Sequence, residues 1–89
     1  MDTHISPHET AIYSACLANR RWLTNKEIAT LSGVAYRTAR HHTSRLVKAG
    51  VLEQARLFPG FRFRLSAEPT QVGQDHINRL VAAAAIFGS

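Results

Sequence analysis

The 89-residue chain contains a single cysteine, Cys16, so no disulfide can form within it. A small disulfide-stapled extracellular framework is thereby excluded, and a reducing, cytoplasmic setting is expected. Prolines number three and glycines five, and 45% of the residues are hydrophobic, which argues against disorder or a linker. No apolar run approaches the ~20 residues needed to cross a bilayer, and Val81 to Ala85 is short and alanine-rich. No basic stretch followed by an apolar core opens the chain, so no signal peptide is expected. No nucleophile with a supporting motif and no acid–base pair stands out, and the chain is too short for a catalytic cleft with its own substrate domain. An enzyme is not expected.

Acidic residues are also scarce, six against eleven Lys and Arg. The excess is unevenly spread. Between Ala35 and Leu65 lie Arg37, Arg40, Arg45, Lys48, Arg56, Arg62 and Arg64, opposed only by Glu53; the remainder holds four bases and five acids. A solvated face mixes its signs, whereas one-signed charge in a third of a chain points to a polyanionic partner.

Residues 1–5 read as a loose tail. Ser6-Pro7-His8-Glu9 combines a cap, a first-turn proline and the glutamate of a capping box, and predicts a helix from His8 to about Asn19. Ile12, Ala15, Cys16 and Leu17 supply its apolar side, with Cys16 as a small buried hydrophobe rather than a reactive thiol. Arg21-Trp22-Leu23 reads as a very short strand, with Trp22 in the core. A second capping box, Thr24-Asn25-Lys26-Glu27, opens a helix through Leu31 whose apolar side is Ile28 and Leu31. Gly33 suits a sharp corner, after which a third helix is predicted over Tyr36–Lys48, stopped by Ala49-Gly50.

Val51–Arg56 and Phe61–Leu65 flank the turn Leu57-Phe58-Pro59-Gly60 and predict a β-hairpin. Phe61, Phe63 and Leu65 alternate toward the core, Arg62 and Arg64 away from it. After a connector broken by Pro69, a last helix is predicted from about Thr70 to Phe87. Its apolar stripe is Ile77, Leu80, Val81, Ala84 and Phe87, with Ile86 beside it.

This succession resembles the winged helix-turn-helix. Leu23-Thr24-Asn25-Lys26-Glu27-Ile28-Ala29 is similar to the LTxxEIA opening of the motif's first helix, and Leu31-Ser32-Gly33-Val34 to its turn. Arg37-Thr38-Ala39-Arg40 and Arg45 through Leu52 resemble the recognition helix and the LxxxGxL entry into the wing. The likeness, over Leu23 to Leu65, is to the broad set of bacterial winged-helix regulators, the MarR-like and ArsR-like groups included. It implies a mainly α, α+β fold: a three-helix core and a two-strand wing, here with an extra carboxyl-terminal helix. Residues 6–66 would form the DNA-binding domain and 70–87 a dimerisation helix. Two features depart from the pattern. Ala35 stands where a capping serine is frequent, and Ala39 and Thr43 stand where larger apolar residues are.

On a helical wheel with Tyr36 at 0°, Ala39, Thr43 and Leu46 fall at about 280–340°, while Arg37, His41, Ser44 and Lys48 fall at about 80–140°. The outer face suits a major groove about 12 Å wide. Tyr36, Arg37, Arg40 and His41, toward the amino end that usually reaches bases, are candidates for base contact, and Ser44 and Lys48 for phosphate. On the wing, Arg56, Arg62 and Arg64 are candidates for phosphate or minor-groove contact. A homodimer is expected through Ile77, Leu80, Val81, Ala84, Ile86 and Phe87. No metal or cofactor is expected, because His41 and His42 diverge by about 100° and His8, Cys16 and His76 show no ligand spacing.

The function expected is sequence-specific binding of double-stranded DNA by a small transcriptional repressor, with no membrane partner and no legible effector. The competing reading is a protein-docking or assembly module of the same fold without duplex contact of its own. Phe58, Phe61 and Phe63 also have the chemistry to stack on single-stranded bases, although Phe61 and Phe63 are expected under the wing.

Overall fold

Side-chain caps set the first two helices. The computed structural model describes residues 6–57 and 59–87, with side chains through Ala85. The expected tail at 1–5, Phe58 in the turn, and the side chains of Ile86 and Phe87 lie outside the described residues. Helix α1 (Pro7–Ala18) starts where Ser6 Oγ accepts from the Glu9 backbone N–H at 3.2 Å. The reciprocal half of that capping box is not made. Glu9 turns inward instead, is 4% exposed, and bonds His76 of the last helix. Helix α2 (Asn25–Ser32) has the complete box: Thr24 Oγ1 accepts from Glu27 N–H at 3.0 Å, and Glu27 Oε1 accepts from Thr24 N–H at 2.8 Å. Those bonds, the backbone one foremost, hold the Glu27 carboxyl below its ordinary range.

Helix α3 (Tyr36–Lys48) spans the predicted residues and, with Ala35 before it, starts without a side-chain cap. It is held from the side instead. The Thr43 hydroxyl donates to Asn25 Oδ1 at 2.7 Å, tying the middle of α3 to the first turn of α2. The hydroxyl at position 43 therefore replaces apolar packing with a specific bond.

Strands β1 (Leu52–Leu57) and β2 (Gly60–Leu65) pair antiparallel, from Leu52↔Leu65 to Leu57↔Gly60. The expected strand at Arg21–Leu23 reduces to one bridge, Leu23↔Phe63, closed by reciprocal backbone bonds of 2.8 and 2.7 Å. Helix α4 (Gln71–Phe87) then returns across α1. Among the described residues no helix is long and apolar enough to cross a membrane.

Ile12, Cys16, Leu23, Ile28, Ala39, Leu46, Val51 and Leu80 are fully buried in one core. Burial pushes the Cys16 thiol up to about 11, so it behaves as a hydrophobe. Four expectations of burial are corrected. Leu17 and Leu31 are exposed, because Ile12, Ala15 and Cys16 on α1, and Ile28 and Ala29 on α2, already fill the inward faces. Phe61 is 47% exposed, because β2 runs out past the helices toward the turn, so that Phe63 is buried and Leu65 packs on the core while Phe61 stays outside. Trp22 is half-buried, capped by the Arg64 guanidinium 4.3 Å from its ring centre.

The apolar stripe of α4 is also reassigned. Leu80 is fully buried within the single chain and cannot serve a second subunit, and Ile77 packs on the same core while remaining partly exposed. The cause lies at the start of α4, where Gly73 has no side chain and the helix settles directly onto the turn after α3. Val81 stays exposed and Ala84 half-buried.

Candidate nucleic-acid interface

Helix α3 is amphipathic by sequence, and the fold uses both faces. Ala39, His42, Thr43 and Leu46 are buried, which leaves Arg37, Arg40, His41, Ser44, Arg45 and Lys48 outward. These six line one shallow groove along the helix, of about 390 Å³, without a carboxylate among them. Arg37, Arg40, His41, Ser44 and Lys48 are the five that the sequence pattern points to. Arg45 was placed only at the flank. Tyr36 is 52% exposed at the amino end, with the Arg40 guanidinium 5.8 Å from its ring centre.

A second, larger cleft of about 520 Å³ separates α3 from the wing. Asn25 and Lys26 of α2, Tyr36, Arg40 and Ser44 of α3, and Gln54, Phe61 and Arg62 of the hairpin border it. Lys26 is a rim residue that the sequence pattern does not single out. The available signal was its place inside the capping box, where an exposed cation sits beside the recognition helix. Arg62 thus joins the α3 residues around one opening.

The other wing arginines part company. The strand register puts Arg56 opposite Phe61, on the face that deeper in carries Phe63, and its guanidinium lies 5.8 Å from the Phe61 ring. Arg56 is therefore an exposed cation on the helix-facing side of the wing. Arg64 lies on the opposite face, beside Glu53, whose Oε2 accepts from Arg64 Nε at 3.0 Å. With Trp22 on its other flank, the partly exposed Arg64 is held by contacts within the chain and does not border the groove or the cleft. The sequence signal for this was Glu53, the only acid in the basic third of the chain.

His42 is a second residue whose role the sequence reading left open. It is 8% exposed between α1 and α3, with His8 and His41 at 6.4 and 5.2 Å between ring centres. Burial holds its imidazole below the ordinary range; His41, Arg45 and His8 add to this, and Glu9 opposes it. Among the described residues, no cluster of His, Cys, Asp or Glu could hold a metal ion.

The sequence pattern of the winged helix-turn-helix DNA-binding family matches residues 6–53, more than half of the chain. The chain belongs to that family. Two solved structures have the same fold as this winged helix. One is the ST1889 protein of the thermoacidophilic archaeon Sulfolobus tokodaii, at 15% identity and a TM-score of 0.65, covering 94% of this chain and 81% of that one. The other is a MarR family protein from Bacillus stearothermophilus, at 20% identity and a TM-score of 0.62, covering 98% of this chain. The winged helix spans 62% of that Bacillus chain's length. No curated protein sequence matches.

Proposed function

We propose that this winged helix binds double-stranded DNA sequence-specifically and regulates transcription, as a repressor that occludes a promoter, without a chemical step of its own. The observation that carries this reading is the acid-free groove of Arg37, Arg40, His41, Ser44, Arg45 and Lys48 on the open side of α3. With α3 in a major groove, its amino end reaches base edges, where an arginine can grip guanine through two hydrogen bonds. The wing then enters the adjacent minor groove. The strand that separates the two grooves must pass through the cleft between α3 and the hairpin, where Lys26, Arg40 and Arg62 meet it.

Two subunits would set their recognition helices about 34 Å apart on a pseudo-palindromic site. Support for a dimer comes from the side of α4 that the core leaves free, where Val81 is 52% exposed.

The test is duplex affinity across a range of salt concentrations, with a pool of random duplexes from which bound sites are selected. The expected result is an enriched, two-fold symmetric site and an affinity that falls steeply with salt, by a log–log slope of about −0.9 per phosphate neutralised. Weak binding that ignores salt and enriches no site overturns the reading in favour of a protein-docking module.

A further inference from the structure

The wing carries an aromatic ring that the core does not use. Phe61 is 47% exposed, and Tyr36, across the cleft at the start of α3, is 52% exposed. Both border the same opening of about 520 Å³. Each ring has an arginine set against it at 5.8 Å, Arg40 at Tyr36 and Arg56 at Phe61. Lys26 and Arg62 add two further cations to the rim.

A fully paired strand passing through this cleft offers phosphates and sugars but no free base face, because each base is stacked on its neighbours. Its needs are met by the cations alone. Two aromatic walls within a cationic rim match a different ligand, a planar ring attached to a phosphate. Aromatic side chains in positive grooves hold unpaired bases by stacking, with little regard to which base it is.

We propose that the cleft between α3 and the wing takes an unpaired nucleotide, its base against Phe61 and Tyr36 and its phosphate beside Lys26 and Arg62. The inference rests on the duplex-binding reading above and adds a substrate preference to it. DNA carrying a short single-stranded segment next to the duplex is bound more tightly than the same duplex fully paired.

The experiment measures fluorescence anisotropy of the full chain at one salt concentration on three labelled DNAs. They are a blunt duplex, the duplex with a short single-stranded overhang, and that overhang made abasic, with equal phosphates and no bases. The overhang is expected to bind roughly five- to a hundredfold more tightly than the blunt end, and the abasic overhang to lose that advantage. In Phe61→Ala the overhang-to-blunt ratio falls close to one, and Phe61→Tyr restores it. Phe61→Leu, which keeps apolar bulk without a π face, loses it as well and serves if the alanine variant does not fold.

An abasic overhang that keeps the preference, or leucine and alanine variants that keep it, overturns the inference. Equal affinity for blunt and overhanging DNA, with steep salt dependence, overturns the inference and leaves the duplex-binding reading standing. Absence of salt-dependent binding to all three overturns both.

Discussion

Gly73, in the first turn of α4, lies against the backbone of Gly50 at the end of α3, so close that a Cβ on Gly73 would stand 2.4 Å from the Gly50 carbonyl oxygen. Gly50 itself has φ +83, a left-handed conformation, and a Cβ there would meet Thr70 Oγ1 at 3.0 Å. Gly73→Ala therefore forces α4 away from the turn, and with it the Leu80 side chain from the core. We expect a loss of about 1–3 kcal/mol, the usual cost of overpacking. For a domain of this size that is a melting-temperature drop of at least about 4 °C, readable by circular dichroism. An unchanged melting curve would mean that α4 does not depend on this contact.

Arg37 and Arg62 lie on different elements and are expected to fail differently. Arg37→Ala should relax sequence preference, with a discrimination loss of about 1–3 kcal/mol at one base pair. Arg62→Ala should weaken binding about equally on all sequences and flatten the salt slope by about one. Competition binding against a set of single-substitution sites separates the two. Identical profiles for both variants would show that the division of labour between helix and wing is misassigned.

Arg64 makes a contrasting case. Its guanidinium lies over Trp22 and bonds Glu53, and both side chains of that pair are partly exposed. Arg64→Ala should shift the emission of Trp22, the sole tryptophan, and cost about 1 kcal/mol of stability. The salt slope for DNA should stay as in the wild type. A flattened slope would return Arg64 to the interface.

His42 makes folding sensitive to mild acid. Its buried Nδ1 has no hydrogen-bond partner among the described residues, and the fold holds the ring below its ordinary pKa of about 6.5. The neutral ring is thus the one the fold accepts. Its contribution to stability is complete above about pH 6.5 and is lost as pH falls from there through the lowered folded value. Urea denaturation should give less stability at pH 5.5 than at pH 7.5, and His42→Phe should remove part of that difference. A slope unchanged in the variant would show that His42 is not the source of the acid sensitivity.

Much of this was legible in the chain itself. The caps at Ser6 and Thr24, the bounds of α3 and the two-sided character of that helix follow from local patterns, because capping and periodicity act within a few residues. What stayed hidden depends on distance along the chain. Strand alternation assigned Phe61 to the core, but how far a hairpin overhangs its helices is set by where α2 and α3 end. The stripe on α4 was plain, yet whether Leu80 would meet another subunit or the chain's own core depended on the close approach of Gly73 to Gly50. His42 was readable in retrospect. On the same helical wheel it falls at about 240°, some 40° from Leu46 and just beyond the edge of the predicted core side.

The return of α4 carries a consequence for how this small protein comes into being. Every residue of the DNA-facing surface is already present once Leu65 has been made, yet the core cluster to which Leu80 belongs still lacks that side chain. A fragment ending at residue 66 would hold the whole reading head on an unfinished scaffold. A chain cut there would lack the Leu80 side chain from its core and is expected to be less stable than the whole protein.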